Sequence, residues 1–196
     1  MPPTRFEMTQ LAGLIGLTRT GLFITRPNGE KAYEILKEEL RKVPDGEALV
    51  LSFPPNQLVD ASFADETAVK LGQETLRGEY GDRALLLEGL TRDSLKNLRA
   101  AISLQKLKLP LLAVERSGAW QVAGHLEEHL LETLKLVAEH GRLTAAELMP
   151  ILDLAVNTAS TRLKRLHNLH LVRREHEISE RGLQYIYYFW RWDETA

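Results

Sequence analysis

Residues 148–174 read LMPILDLAVNTASTRLKRLHNLHLVRR, and this stretch decides how the second half of the chain is interpreted. Its pattern predicts a short helix, a tight turn, a longer basic helix and then a strand. In the longer helix Ala159, Leu163 and Leu166 recur at i, i+4 and i+7, so we expect them to share one buried stripe. The residues expected on the open surface are Thr158, Thr161, Arg162 and Arg165. A polar, cationic helix face of this kind fits the major groove of DNA.

The charge of the chain is unevenly distributed. Its net charge is −2, which by itself argues against DNA, because binding to a duplex depends on neutralising phosphates. Between Leu154 and Arg174, however, there are five basic residues and no acidic one. A local cationic patch is what matters at short range, since salt screens charges beyond about 8 Å. The alternative interpretation of this segment is an ordinary solvated helix face.

The length and composition limit the class of protein. With 196 residues, of which 44% are hydrophobic, the chain is long enough for two packed domains. It has no cysteine, which excludes disulfides, thiolate metal sites and a thiol nucleophile. Residues 1–7, MPPTRFE, do not resemble a secretion signal, and no stretch reaches the roughly 18 apolar residues of a membrane span. We therefore expect a soluble, cytoplasmic protein that does not engage membranes.

Apolar runs alternate with helical patterns from Phe6 to Ala123. The predicted strands are residues 22–24, 48–53, 84–87 and 111–114, and the predicted helices are residues 30–42, 61–79 and 91–104. Proline, asparagine, aspartate and glycine predict connections at residues 27–29, 44–46 and 54–56. This alternation predicts an α/β layer structure with a largely covered sheet.

Residues 48–66, ALVLSFPPNQLVDASFADE, resemble the STAS domain of bacterial anti-sigma-factor antagonists, and the resemblance extends over about residues 20–115. In those antagonists the first serine of an Asp-Ser-Ser-Gly turn is phosphorylated. Here that position is Ala61, so the resemblance implies a partner-binding or dimerising module more than a phosphorylation switch. With Asp65 three residues later, Ser62 is predicted to cap a helix, and modification of Ser62 is the alternative.

A hairpin with its turn at Ser117-Gly118 is predicted to end the first domain. The first domain is therefore predicted to comprise residues 1–123 and the second domain residues 124–196. The first helix of the second domain is predicted from a regular apolar stripe, Leu126, Leu130, Leu134 and Val137, and is expected to end near Gly141. Thr144 and Glu147 have the spacing of a capping box. The short second helix that follows carries Leu148, Ile151 and Leu152 on its apolar face.

Residues 158–166, TASTRLKRL, and residues 171–174, LVRR, resemble the winged helix-turn-helix regulators of the MarR and ArsR type. The resemblance implies a mainly α domain with a β-hairpin wing, formed by residues 171–177 and 183–190. It also implies binding of double-stranded DNA. The residues predicted to lie near DNA are Asn157, Thr158, Ser160, Thr161, Arg162, Lys164, Arg165, Arg173, Arg174 and Arg181. The resemblance itself implies six of them, Thr158, Ser160, Thr161, Arg162, Lys164 and Arg165.

The predicted wing has features that favour and oppose DNA contact. Arg181 near its tip suits a narrow minor groove, which attracts arginine. Glu177 and Glu180 beside it would repel phosphate, so a wing that touches DNA weakly is the alternative. The aromatic run at residues 185–190 is predicted to pack on the first helix of the domain and across a dimer seam, and base stacking is the alternative.

Two residues depart from the regulator pattern. Pro150 falls inside the short second helix and is expected to kink or shorten it, because proline removes one backbone hydrogen bond. His170 stands where such regulators usually have glycine, so we expect the longer helix to find its left-handed residue elsewhere or to end without one.

Residues 125–129, HLEEH, have the reversed spacing of a zinc protease site, which would make the protein an enzyme. A regulatory metal site and two solvated histidines are the alternatives, and the last is favoured. There is no glycine-rich phosphate loop and no Gly-x-Ser-x-Gly turn. The sequence therefore predicts no catalytic residue, no metal and no cofactor.

Together these patterns predict a dimeric, sequence-specific DNA-binding transcriptional regulator. A dimer is expected because two-fold symmetric operators double the contact set. The first domain would sense a ligand, bind a protein partner or dimerise. The rival hypothesis is a protein-interaction adaptor in a partner-switching pathway that does not bind DNA.

Overall fold

The structure is a computed structural model that describes residues 3–17, 22–115, 117–179 and 182–191. The chain divides into two compact units, Met1–His125 and Leu126–Ala196. The boundary predicted from the sequence lies after residue 123. Among the described residues, no helix has both the length and the apolar character needed to cross a bilayer.

The first unit is mixed α/β, in agreement with the predicted class. Its strands are β1 Thr4–Glu7, β2 Leu22–Phe23, β3 Ala48–Ser52, β4 Leu58–Val59, β5 Ala84–Glu88, β6 Leu111–Val114 and β7 Trp120–Ala123. Its helices are α1 Met8–Leu14, α2 Arg26–Lys42, α3 Ala61–Ala64, α4 Lys70–Leu76 and α5 Arg92–Leu104, and a π-helical segment, Asp65–Val69, joins α3 to α4.

The central sheet of this unit has the order β1-β3-β5-β6-β7. The first four strands are parallel, and β7 pairs antiparallel with β6. Strands β3, β5 and β6 are continuous apolar runs, as expected for parallel strands under helices. Leu51 and Leu87 of the sheet join Leu36, Phe63 and Leu98 of the helices in one buried core. Burial of each such side chain stabilises the fold by roughly 1.5–3 kcal/mol.

The beginning of α2 corrects one prediction. Residues 27–29 were expected to form a connection, but they lie in the first turn of the helix. Proline is tolerated there because its missing N–H would have no partner in that turn. Asn28 Nδ2 donates to the carbonyl oxygen of Ile24 at 3.0 Å, and this bond holds the turn. The connection at residues 44–46 is confirmed, since Gly46 has a φ of 78° and the Glu47 N–H donates to Pro44 O.

The beginning of α3 corrects a second prediction. Ser62 was predicted to cap the helix, but the cap is Asp60, whose Oδ1 accepts from the Phe63 N–H at 2.7 Å. Ser62 is exposed in the first helical turn. The second oxygen of Asp60, Oδ2, accepts from the Thr25 N–H at 3.0 Å. One carboxylate therefore joins the starts of α2 and α3. Thr25 is held there with a φ of 76°, which is rare for a β-branched residue.

The second unit contains three helices and three strands among its described residues. Its helices are α6 Glu128–His140, α7 Ala145–Ile151 and α8 Val156–Asn168, and its strands are β8 Arg142–Thr144, β9 Val172–Ser179 and β10 Gly182–Phe189. The strands form an antiparallel sheet with the order β8-β10-β9. The predicted capping box of Thr144 and Glu147 is confirmed at the start of α7. Pro150 lies in the last turn of this seven-residue helix.

The end of α8 differs from the prediction for His170. His170 itself adopts the left-handed conformation, with a φ of 55°. Its N–H donates to His167 O at 2.8 Å, and the Leu171 N–H donates to Leu166 O at 3.0 Å. These two bonds form a Schellman motif, which satisfies carbonyl groups at the helix end. Leu166 and Leu171 are both buried, as the apolar contact of this motif requires.

Candidate nucleic-acid interface

Helix α8 has the two faces that its sequence predicts. Ala159, Leu163 and Leu166 are fully buried, which confirms the apolar stripe. The helix packs through this side on α6 and α7. The residues exposed on the other side that belong to the predicted DNA surface are Asn157, Thr158, Ser160, Thr161, Lys164 and Arg165.

The N-terminal end of α8 is open to solvent. Ala155, Val156, Asn157 and Thr158 are all exposed, and Ala155, which occupies the cap position, provides no side-chain hydrogen bond. The first turn contains no acidic residue. The positive end of the helix dipole is thus available to an anion.

Arg162 is not on the open face predicted for it. Its side chain is 18% exposed, and its guanidinium turns toward α6. There Nη1 lies 3.2 Å from Glu132 Oε2 and 3.4 Å from the carbonyl oxygen of His129. The hydrophobic stripe explains this direction, since Arg162 lies one turn from both Ala159 and Leu166.

Arg165 also forms an ion pair with the N-terminal end of α6. Its Nη2 lies 2.6 Å from Glu127 Oε2. The imidazole of His129 lies beside this pair, with Nε2 at 3.4 Å from Arg165 Nη1 and 3.5 Å from Glu127 Oε2. Unlike Arg162, Arg165 keeps 45% of its side chain exposed.

These side chains line a cavity of about 380 Å3 between α6 and α8. We call it the α6–α8 pocket, and its lining residues are His129, Asn157, Thr158, Thr161, Arg162 and Arg165. Thr161 Oγ1 donates to the carbonyl oxygen of Asn157 at 2.7 Å, so its lone pairs remain available as acceptors. The pocket is therefore lined by charged and polar groups throughout.

Lys164 and Ser160 differ from the two arginines. They lie one turn apart on the side of α8 that faces away from the buried stripe, and both are exposed. Within the described ranges, Lys164 forms no ion pair, and Ser160 forms no side-chain hydrogen bond. Their polar groups can therefore meet a ligand without first breaking an internal contact.

The two arginines of β9 are held by tyrosines. Arg173 stacks on the ring of Tyr188 at 4.9 Å from its centroid, and Arg174 stacks on Tyr185 at 4.7 Å. Arg173 also pairs with Glu175 at 3.2 Å. As neighbours in a strand, Arg173 and Arg174 point to opposite faces of the sheet, so the two cannot meet the same ligand surface.

The hairpin of β9 and β10 carries an exposed apolar pair near its end. Ile178 is 82% exposed and Leu183 is 59% exposed, and the two face each other in register. Arg181 and Glu180, which bear on the predicted minor-groove contact, lie outside the described residues. Glu177, predicted to oppose DNA contact, is exposed.

The aromatic run at the end of β10 is mainly part of the core. Tyr187 and Trp190 are buried, and β10 contacts α6. This agrees with the prediction that the strand packs on the first helix of the domain. Tyr185, which is exposed, carries Arg174 on its ring and therefore does not present a free stacking face on that side.

One of the two candidate metal-ligand histidines, His129, lies beside charged side chains. His129 interacts with Arg165 and Glu127, as described above. Over residues 3–17, 22–115, 117–179 and 182–191, no group of three or more histidine, cysteine, aspartate or glutamate residues is placed to hold a metal ion.

The first unit has a cleft of about 660 Å3 at the ends of β5 and β6. Gly89 follows β5, and Arg92, Lys96 and Arg99 project from successive turns of α5 into its lining. Arg99 donates to Gln121 Oε1 at 2.8 Å. The carboxyl edge of a parallel sheet is the usual place for a ligand in α/β folds. The three basic side chains of the lining outnumber its one carboxylate, Glu115, so the cleft favours an anion.

No protein-family model matches the sequence, and a comparison with curated proteins finds no significant match. Function is therefore inferred from the chemistry of the residues themselves. The groups that the second unit offers are an open helix N-terminus, exposed hydroxyl, amide and ammonium groups on α8, and two arginines at its flank. All of them bind anions or donate hydrogen bonds, as a nucleic acid requires.

Proposed function

We propose that the protein is a sequence-specific regulator of transcription that binds double-stranded DNA. Its second unit would be a winged helix-turn-helix domain, with α8 as the recognition helix. The main support for this proposal is the distribution of residues on α8. Its apolar stripe is fully buried, whereas its N-terminus is exposed to solvent and its outer face is polar and cationic. A recognition helix enters the major groove with its N-terminal residues facing the bases.

The order of elements supports the winged-helix interpretation. Four residues separate α7 from α8, which is the length of a helix-turn-helix connection. The hairpin of β9 and β10 follows α8 directly, in the place of a wing. Strand β8, between α6 and α7, pairs with β10 and joins the hairpin to the helices.

The exposed residues of α8 would have two roles. Ser160 and Lys164, which are free and face outward, are suited to contact base edges. Asn157 and Thr158, at the open helix end, are suited to bases or to a phosphate that the helix dipole attracts. Of the two arginines of β9, only one can extend this cationic surface along the hairpin, because they point to opposite faces of the sheet.

The first unit would supply dimerisation, partner binding or sensing, as the STAS resemblance implies. Its basic cleft beside α5 supports an anionic ligand or partner for this unit. A dimer would place two copies of α8 on the half-sites of a palindromic operator. The adaptor hypothesis gives the first unit the same roles, but in it α8 does not bind DNA.

The test is fluorescence anisotropy of the full chain with its own upstream DNA and with an unrelated duplex, at low and physiological salt. We expect tighter binding to the upstream DNA, and we expect Lys164→Ala and Ser160→Ala to reduce this preference. A good base contact contributes about 1–3 kcal/mol of discrimination. Lys31→Ala is the matched control, because it removes an exposed, unpaired lysine from the first unit. Equal, weak binding of both duplexes by every variant would reject the regulator and favour the adaptor.

A further inference from the structure

We propose that the α6–α8 pocket binds one backbone phosphate of DNA, and that Glu127 and Glu132 occupy its two guanidinium groups until that phosphate arrives. This inference rests on the proposed DNA-binding function and goes beyond it. It assigns Arg162 and Arg165 to the phosphate backbone and not to the bases. It also gives two acidic residues of α6 a part in DNA affinity.

The pocket gathers the donors that a phosphate needs. Arg162 and Arg165 lie one turn apart and reach the same cavity, which His129 of α6 also lines. Guanidinium groups bind phosphate through two parallel hydrogen bonds, which makes arginine the preferred residue for this task. The N-terminal turn of α8, with Asn157 and Thr158, lines the same cavity and adds two polar side chains and the positive end of the helix dipole.

The position of Arg162 excludes it from the centre of the base-reading face. Ser160 and Lys164 point away from the buried stripe, whereas Arg162 is 18% exposed and bonded to the backbone of α6. A side chain at the flank of the helix reaches the walls of the groove, where the phosphates lie. Arg162 is therefore placed to contact a phosphate. Such a contact fixes the position of the protein on the duplex and carries no sequence information.

Glu127 and Glu132 balance the charge of the pocket in the free protein. Their carboxylates lie 2.6 Å from Arg165 and 3.2 Å from Arg162. Without them a half-buried guanidinium would lack a counter-charge, which is unfavourable. Both glutamates are partly exposed, so each can turn to water when a phosphate replaces it.

This exchange lowers the affinity for DNA. A phosphate that enters the pocket must break two existing ion pairs, and the released carboxylates remain close to the DNA backbone. Each phosphate that the protein neutralises contributes about 0.9 to the slope of log K against log salt. Glu127 and Glu132 cancel part of this neutralisation, so their removal is expected to increase both the affinity and the steepness of the salt dependence.

The experiment measures anisotropy of upstream and unrelated duplexes over a salt series, with the full chain and four variants, Glu127→Gln, Glu132→Gln, Arg162→Ala and Arg165→Ala. We expect each glutamine variant to bind both duplexes roughly 3–10-fold more tightly at low salt, with a steeper slope. We expect Arg165→Ala to weaken both duplexes equally and to reduce the slope by about 1. Arg162→Ala should also weaken binding to both duplexes and reduce the slope. Circular dichroism shows whether this variant is still folded. Glu139→Gln, an exposed change on α6, is the control.

Two results would overturn the inference while DNA binding stands. One is an arginine variant that changes the sequence preference and leaves the salt slope as it was, because that marks a base contact. The other is a pair of glutamine variants that bind like the wild type.

A second measurement does not depend on DNA. Inorganic phosphate is added to the full chain while NMR follows the imidazole signals of labelled histidines. We expect the His129 signal to move in the wild type and to stay in place in Arg165→Ala. If no duplex binds but phosphate still moves this signal, the pocket is an anion site and the regulator function is rejected. If neither DNA nor phosphate binds, both proposals fall.

Discussion

The indole nitrogen of Trp190 lies 3.1 Å from the carbonyl oxygen of His170 and donates a hydrogen bond to it. This bond joins the end of β10 to the residue at which α8 terminates. His170 holds the left-handed conformation that a glycine would adopt without cost, with a φ of 55°. The end of the candidate recognition helix is therefore fixed by a backbone motif and by a buried aromatic residue.

Substitutions of His170 test this arrangement. His170→Gly is expected to keep or slightly raise the free energy of unfolding of the second unit, because glycine removes the left-handed strain and the carbonyl acceptor remains. His170→Val is expected to lower it by about 1–2 kcal/mol, because a β-branched side chain resists a positive φ. Urea denaturation followed by circular dichroism compares the two. Equal stability of both variants would contradict the role of backbone strain.

Gly29 permits a close approach between α2 and the segment around Glu66. A Cβ added at Gly29 would lie 2.8 Å from Glu66 Cβ and 3.3 Å from Phe63 O. Gly29→Ala is therefore expected to lower the free energy of unfolding by about 1–3 kcal/mol, as overpacking does. Gly13→Ala is the matched control, since a Cβ there meets nothing within 4 Å. In that helix alanine should stabilise by up to about 1 kcal/mol. Thermal unfolding of both variants measures the contrast, and loss of stability in both would point to some other cause.

A buried carboxylate joins α2, α4 and the loop that follows. Glu74 is 6% exposed and accepts hydrogen bonds of 2.7 Å from the hydroxyls of both Tyr33 and Tyr80. Tyr80→Phe should lower the free energy of unfolding by about 1.5–3 kcal/mol, because it removes a hydrogen bond to a charged group. Urea unfolding measures this loss. Glu79→Gln, which changes an exposed surface pair with Arg77, should cause a much smaller loss. If both variants lose the same free energy of unfolding, the buried network stabilises the fold no more than an exposed ion pair does.

The same network predicts a loss of stability in alkali. Burial, and then the hydrogen bond to Glu74, raise the pKa of Tyr33 and of Tyr80 above the usual value of 10.0. The folded state therefore holds these protons at a pH where the unfolded chain releases them. The resulting contribution to stability is fully present below pH ~10 and is lost as the pH rises above it.

The variant Tyr33→Phe/Tyr80→Phe tests this dependence. The urea midpoint of the wild type is expected to fall more steeply above pH ~10 than that of the variant. The increase in tyrosinate absorbance that accompanies unfolding should be larger in the wild type than in the variant, because the variant lacks these two hydroxyls. A wild type and a variant with parallel pH profiles would refute the assignment.

The parallel strands of the first unit could be predicted because each is a continuous apolar run. Ala48–Ser52, Ala84–Glu88 and Leu111–Val114 lie between turn residues, and burial on both faces removes the alternation of polar and apolar residues. Strand β1 was missed because Thr4–Glu7 holds a single buried residue, Phe6, and pairs at the edge of the sheet with β3 alone. Its strand character depends on a partner that is remote in the sequence.

Residues 61–76 show where a helical pattern reaches its limit. The apolar periodicity predicted one helix, yet the backbone changes to π-helical bonding over Asp65–Val69. Five residues of altered hydrogen bonding hardly disturb the hydrophobic pattern. The carboxylates of Asp65 and Glu66 pair with Arg26 of α2, which is a tertiary contact that local spacing does not reveal.

The candidate interface was predicted in its outline and not in its ion pairs. The buried stripe of α8 follows from its period, and it is confirmed. The local count of charges found only cations there, because Glu127 and Glu132 precede Arg165 and Arg162 by 38 and 30 residues. The sequence did hold one signal, since Arg162 lies one turn from both Ala159 and Leu166 and so had to flank the buried stripe.

The pairing of β1 with β3 affects the order in which the chain acquires structure. Thr4 pairs with Leu49, 45 residues later, and β7 completes the sheet only at Ala123. In the second unit Gly182 pairs with Ser179, three residues away, so its hairpin closes a short loop. Folding slows as contacting residues become more distant along the chain. The hairpin of β9 and β10 should therefore form first, whereas both sheets must wait for distant partners, because β8 pairs with β10 through Arg142 and Tyr188, 46 residues apart.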